Sequence, residues 1–358
     1  MTEPKKIREL GIQVGKFLTG EKNCITDVPG VKVGHVTLDY PLEQEGSYAC
    51  TGVTAILPHD GNLFKEKVVG ASYVLNGFGK TTGLVQVNEL GVIESPIMLT
   101  NTFGVPAVTQ GTLQYMLKDN PEIGDTTGTI NLVVGECNDS RLNSIRELPV
   151  QPQHAIECIE NATTEVSPEG AVGAGKGMIC FGYKGGIGSS SRILQDEKSG
   201  TSYSIGCMVL SNFGRKEDFQ IEKYRLEETE ALPAYPKTAD GSIMIVLATD
   251  APLSSRQLQR VAKRCGIGLG RTGSHFSHGS GDIVIAFSTA HKIPHSSEES
   301  SEERKQLRED HAIMNDLFAA AADVTEEAIL NSLAQAETTT GRNGNTAHAY
   351  PFGEVRLP

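Results

Sequence analysis

The sequence is short of positive charge, of long apolar runs and of paired cysteine motifs, and each shortage removes a class of function. Against 44 Asp and Glu stand only 32 Lys and Arg, a net charge of -12. Nucleic-acid phosphates are held by clustered basic side chains, so no nucleic-acid partner is expected and a small-molecule or peptide substrate is. No apolar run approaches the roughly 18 residues that a membrane helix needs. The charged opening Met1–Leu10 leads into no signal-type apolar core, so no membrane contact is expected and the cytoplasm is the expected compartment. The seven cysteines (Cys24, Cys50, Cys137, Cys158, Cys180, Cys207, Cys265) are scattered and never spaced as Cys-x-x-Cys. That pattern suggests buried thiols, with neither a disulfide framework nor a zinc site. His275, His278 and Asp282 are spaced like metal ligands, but they lie in a Gly- and Ser-rich stretch without a further ligand pattern, and no metal is expected.

Nucleotide-binding and classical hydrolase signatures are missing too. Gly79-Lys80-Thr81 invites a P-loop reading, but Val74 stands where that loop needs its first glycine. Gly173-Ala174-Gly175-Lys176-Gly177 feeds the apolar Met178–Phe181 and no helix that could hold a phosphate, so its glycines point to tight backbone packing. No Gly-x-Ser-x-Gly elbow surrounds Ser242, Ser274, Ser277 or Ser280, which leaves an ordinary α/β-hydrolase triad without support.

What the chain has is a centre. In Asp240-Gly241-Ser242-Ile243-Met244-Ile245-Val246-Leu247-Ala248-Thr249-Asp250-Ala251-Pro252, a Gly-Ser step precedes six consecutive apolar residues and a proline stop. Such a run reads as a strand buried on both faces, with a hydroxyl at its start. The plain alternative is a turn glycine followed by a serine that satisfies a loose backbone group. Further strands are expected over Val31–Val36, Val53–Leu57, Ile130–Gly135, Tyr203–Ser211 and Asp282–Phe287, and a helix over Val105–Leu117 behind Pro106. The third of these strands delivers Glu136, Asn138 and Asp139 to its C-terminal end, as site candidates or as Asx-turn residues. Lys216–Ala239 reads as an exposed connector. A helix capped by Ser254 or Ser255 should end at Gly266, with a glycine-rich loop over Gly270–Ser280. Lys292–Asp310 has a solvated composition, and two last helices are expected over Ile313–Asp323 and Glu326–Ala336, the second capped by Thr325. With 358 residues, 38% of them hydrophobic, the length allows one large domain or two.

In order along the chain, Ile25–His35, Asn76-Gly77, Thr100-Asn101-Thr102, Glu136–Asp139, Cys180–Gly188, the Gly241-Ser242 step, Thr272-Gly273-Ser274, Ser277–Asp282, Thr325–Leu330 and Gly341–Gly344 resemble the family of L-aminopeptidase/D-amino-acid esterases and β-peptidyl aminopeptidases. The resemblance implies an α+β fold, an αββα sandwich of two stacked sheets flanked by helices, of the N-terminal-nucleophile kind. It implies a single domain over 1–358 that cuts itself between Gly241 and Ser242, leaving chains 1–241 and 242–358. Ser242 would then be the nucleophile, Ser280 and Asp282 its hydrogen-bonded support, Asn212 an oxyanion donor, and Glu136 the receiver of the substrate's free ammonium. Some family members use a tyrosine in the Glu136 segment, but no tyrosine lies between Tyr115 and Tyr183 here, and Asn138 is the donor that could replace it. The implied enzyme is a serine aminopeptidase, amidase or esterase acting on small substrates with a free amino group, without cofactor, as a homo-oligomer of processed αβ units.

The chemistry is coherent at neutral pH. A serine hydroxyl needs a base, and an N-terminal serine carries one in its own α-amine, whose pKa of about 7.7–8.0 leaves part of it unprotonated. Two rivals remain at this point: an acyltransferase of the ornithine acetyltransferase type, which normally cuts before threonine, and a non-catalytic homologue.

Overall fold

The apolar run after Ser242 forms strand β11 (Ser242–Thr249), and Ile243–Ala248 are fully buried. The structure, a computed structural model, describes residues 5–224 and 241–352. Along β11 the side chains alternate between two cores. Ile243, Ile245 and Leu247 pack beneath the helices, while Met244, Val246 and Ala248 pack between two sheets. A strand covered on both faces has no use for polar positions, which is why the run is continuous.

The larger sheet has the order β4 (Val92–Ile93), β3 (Glu66–Gly77), β12 (Gly281–Pro294), β11, β10 (Thr201–Asn212), β9 (Gly186–Asp196). The smaller has the order β1 (Lys32–Pro41), β2 (Tyr48–Leu57), β5 (Ile97–Asn101), β6 (Val133–Cys137). Helices α2 (Val105–Asp119) and α3 (Pro152–Glu160) cover the smaller sheet. On the larger lie α4 (Ser255–Ala262) and α6 (Ile313–Ala334), with α5 (Cys265–Thr272) against α6. This is the αββα sandwich that the resemblance implied.

Topology places the site. β11 and β12 are parallel neighbours, with Ile243 opposite Asp282, because α4 and α5 form the long crossover that parallel strands require. Their first residues therefore lie side by side. β10 and β3 run antiparallel to them, so Asn212, opposite Ser242, and Gly77, opposite Gly281, arrive at the same end of the sheet. From the facing sheet, β6 comes close enough that a Cβ on Gly135 would lie 2.6 Å from Met244 Cε and displace the methionine side chain.

Several element expectations need correction. The helix after Ser254 stops at Ala262 and restarts at Cys265, so Gly266 lies inside α5 and Gly273, at φ +117°, terminates it. The glycines of α5 serve close packing: a Cβ on Gly268 would stand 2.2 Å from the Ala322 carbonyl oxygen of α6. The expected last two helices are the single helix α6. Thr325 caps nothing there, because its hydroxyl donates to the Ala321 carbonyl one turn back (2.8 Å). Glu136 lies within β6 rather than after it. In the connector, Phe219 and Tyr224 are buried and the Tyr224 hydroxyl donates to Glu326 (2.8 Å), so Lys216–Tyr224 is docked on the fold; residues 225–239 lie outside the described residues. Ser254, not Ser255, caps α4. All seven cysteines are free and buried.

Candidate active site

The strand ends converge on Ser242. Ser242 is buried at 8% exposure, and its hydroxyl oxygen accepts the Gly281 N–H (3.0 Å). Among the described residues no carboxylate, imidazole or amine hydrogen-bonds to it. The preceding Gly241 is pressed onto β10, since a Cβ there would stand 2.0 Å from the Asn212 carbonyl oxygen. That contact explains the glycine of the Gly-Ser step.

On the neighbouring strand, the Ser280 hydroxyl donates to Asp282 Oδ1 (2.6 Å). Asp282 is 1% exposed and its Oδ2 is buried without a hydrogen-bond partner. Burial pushes this carboxyl up to about 6, opposed by the Ser280 hydroxyl and the Ile243 backbone N–H. The Ser277–Ser280 loop is held by Asn76, whose Nδ2 donates to the carbonyl oxygens of Ser277 (3.0 Å), His278 (3.1 Å) and Ser280. His275 lies at the surface, 3.6 Å from Asp218, so it does not join Asp282.

Asn212 is engaged at both ends. Its Oδ1 accepts the Ile179 N–H (2.9 Å) and its Nδ2 donates to the Asn138 carbonyl oxygen (2.9 Å), leaving one Nδ2 hydrogen. The link to Asn138 is thus through main chain. The Asn138 side chain is exposed and its Oδ1 accepts the Ser140 N–H (2.9 Å), the Asx turn that the sequence left open as an alternative. Asp139, next along, is buried, pushed up to about 7 by burial, and holds Asn143 (3.0 Å).

Glu136, 4% exposed, receives one donor on each oxygen: the Lys80 N–H on Oε1 (2.8 Å) and the Thr102 hydroxyl on Oε2. Two chain segments therefore clasp it. Gly79 allows the first, because a Cβ there would lie 3.3 Å from Oε1. Each segment also carries an exposed ring, Phe78 and Phe103. Beside Thr102 and Asn138 opens a cleft of about 430 Å³, lined also by Phe103, Ser140, Ile145, Arg146 and Arg342.

Sequence reasoning missed Thr102 and the Lys80 N–H as partners of Glu136, and the Gly281 N–H as partner of Ser242. Thr102 lies in the Thr100-Asn101-Thr102 motif and Lys80 in the Gly79-Lys80-Thr81 triplet, but nothing in either signals a carboxylate. No group of three His, Cys, Asp or Glu that could hold a metal occurs among the described residues. No helix there is long and apolar enough to cross a membrane.

Peptidase family S58 matches residues 23–347. The β-peptidyl aminopeptidase BapA of Sphingosinicella microcystinivorans is 37% identical over 99% of this chain and 91% of its own. The PH0078 protein of Pyrococcus horikoshii OT3 superposes with a TM-score of 0.88 at 47% identity, covering 97% of this chain and 96% of that one. The L-aminopeptidase D-Ala-esterase/amidase of Ochrobactrum anthropi, described as a prototype for the serine aminopeptidases and a new variant among the Ntn hydrolase fold, superposes at 0.86 and 31% identity over 97% and 96%. With a match over most of its length and the same sandwich beneath it, the chain belongs to peptidase family S58 and is a hydrolase built on this variant of the Ntn fold.

Proposed function

We propose that the protein is a self-processing serine aminopeptidase, with Ser242 as nucleophile, that releases the N-terminal residue of small peptides, amides or esters. The observation that carries this reading is the Ser242 hydroxyl itself, buried at the first residue of the central strand with a backbone N–H as its only polar partner among the described residues. Before cleavage no described residue offers it a base; cleavage supplies one on the same residue.

In processing, Ser242 Oγ attacks the Gly241 carbonyl carbon, its proton passes to the Ser242 nitrogen as the C–N bond breaks, and water hydrolyses the resulting ester and returns a proton to Oγ. Gly241 is left with a carboxylate and Ser242 with an α-amine. In turnover that amine takes the hydroxyl proton while Oγ attacks the substrate carbonyl. The proton passes to the leaving amine or alcohol, and water, deprotonated by the same amine, releases the acyl group. Asn212 donates its remaining Nδ2 hydrogen to the oxyanion. Asp282, with an oxygen to spare, holds the ammonium form of Ser242 and orients Ser280. Asn138 borders the substrate cleft and positions Asn212 through its carbonyl. The processed αβ units assemble as a homo-oligomer and work in the cytoplasm.

Glu136 receives the substrate ammonium. Its two protein donors leave acceptor capacity on both oxygens, so it is satisfied at rest and still able to bind a cation. Glu136→Gln should lower kcat/KM for a free-amine peptide by about 10- to 150-fold, mostly through KM, the worth of a hydrogen bond to a charged group. N-acetylated peptides should be poor substrates of both proteins. Equal kcat/KM for acetylated and free peptides on the unmodified enzyme would remove Glu136 from this role. Formation of an acetylated amine from an acetyl donor, rather than release of an amino acid, would instead favour the acyltransferase.

Asp282 gives the site a pH dependence. In the uncut chain burial raises its folded pKa above the ordinary 3.8 to about 6; the Ser242 ammonium of the processed enzyme draws it back down, and kcat should fall as pH drops through that lower value. In the uncut chain the raised pKa means that ionised Asp282 costs stability, and the cost appears as pH rises from about 4 through about 6. Asp282→Asn should therefore lose kcat and the acid limb of the pH profile in the processed enzyme, while in the uncut Ser242→Ala background it should match or exceed its parent in thermal midpoint at pH 7. An unchanged acid limb in this variant shows that another group titrates there.

A further inference from the structure

Lys184 is fully buried, in a protein whose lysines mostly face water, and the mechanism above leaves it without a part. It ends the two-residue strand β8 (Tyr183–Lys184), paired with β7 (Ile179–Cys180) in a hairpin. Its Nζ donates to three carbonyl oxygens, of Gly175 (2.8 Å), Met178 (2.9 Å) and Gly185 (2.7 Å). Three acceptors match the three hydrogens of an ammonium group, while a neutral amine would leave one acceptor without its donor.

One of those acceptors leads to the site. The Met178 carbonyl and the Ile179 N–H belong to the same peptide unit, and that N–H is the donor to Asn212 Oδ1. A cation on the carbonyl oxygen draws electron density through the conjugated peptide and makes its N–H a stronger donor. Asn212 is conjugated in the same way, so a stronger bond at Oδ1 makes its Nδ2 hydrogens better donors.

We propose that Lys184 is a positioning residue for the oxyanion site, its ammonium orienting and polarising the Met178–Ile179 peptide that holds Asn212. The inference rests on the reading of Asn212 as an oxyanion donor. Around Lys184 stand Cys50 on β2, Cys180 on β7, Lys176 and Asp139, and burial pushes its ammonium down to about 7, within reach of titration near working pH.

The test is a double-mutant cycle on fully processed enzyme. Lys184→Met should lower kcat by roughly 5- to 30-fold with KM within about twofold, an effect smaller than loss of the donor itself. In the Asn212→Ala background the same change should cost nothing more, because the residue through which it acts has gone. A Lys184→Met enzyme with normal kcat, beside an impaired Asn212→Ala, overturns the role of Lys184 and leaves Asn212 in place. Losses that multiply in the double mutant also overturn it, since they mean an effect that bypasses Asn212. If Asn212→Ala alone keeps its kcat, the oxyanion reading fails and the inference falls with it. Should Lys184→Met not fold, the unsubstituted enzyme still decides. The Asn212 side-chain amide resonances should shift with the same midpoint as the Lys184 Nζ resonance on pH titration, and resonances that ignore that titration sink the proposal.

Discussion

Ser242→Ala is expected to remain one uncut polypeptide of 358 residues with no measurable peptidase activity. In the proposed mechanism self-cleavage and turnover draw on the same oxygen, and a methyl group cannot replace it in either step. The surroundings make the result clean. Among the described residues Ser242 Oγ receives one hydrogen bond, from the Gly281 backbone, so alanine removes that acceptor and leaves β11 packed on both faces. The unpaired Gly281 N–H costs about 1–3 kcal/mol, too little to unfold a domain with cores on both faces of its main sheet. Intact mass and a thermal scan answer together. A variant that still separates into 1–241 and 242–358 places the cleavage chemistry elsewhere, and a folded, processed and active one removes Ser242 from the mechanism.

Asn212→Ala, measured on the processed fraction, should lose roughly 10²–10³ in kcat with a smaller change in KM. The oxyanion develops only as the carbonyl becomes tetrahedral, so a donor aimed at it acts on the transition state more than on bound substrate. The side chain has a structural duty as well, because Ile179 and Asn138 both bond to it. Loss of those two contacts should lower the thermal midpoint in any case. The two readings therefore differ in kcat alone: a processed variant that is less stable yet turns over normally would show that Asn212 only ties the β7–β8 hairpin to the Asn138 turn. Self-cleavage should slow in parallel, since Gly241 lies against Asn212 and its carbonyl passes through the same kind of intermediate.

How much of this was written in the sequence depends on which atoms make each contact. The run Ile243–Ala248 could only be a strand covered on both faces, because six adjacent apolar side chains alternate to both sides of a sheet. With the strand came the hydroxyl at its start, and the ordered motifs implied the sandwich that the fold displays. The breaks in the helices misled. Gly266 and Thr325 look like a stop and a cap, yet Gly266 sits within α5 beside the close approach to α6, and Thr325 satisfies its own hydroxyl one turn back. Thr325 is answered from within its own helix, four residues back, and Gly266 lies two residues from Gly268, the glycine that meets Ala322 of α6.

The sequence by itself determined the central strand, the serine that begins it and the polar residues at the strand ends. Only the tertiary structure decided what those residues touch. Glu136 is held by the Lys80 N–H and the Thr102 hydroxyl, Ser242 by the Gly281 N–H, and Asn212 by the peptide that follows Met178. Most of these partners are backbone groups, which every residue but proline carries, so side-chain identity does not announce them. They are brought to one end of the sandwich by the parallel pairing of β11 with β12 and the antiparallel approach of β10 and β3, a register that exists only once the sheet has formed.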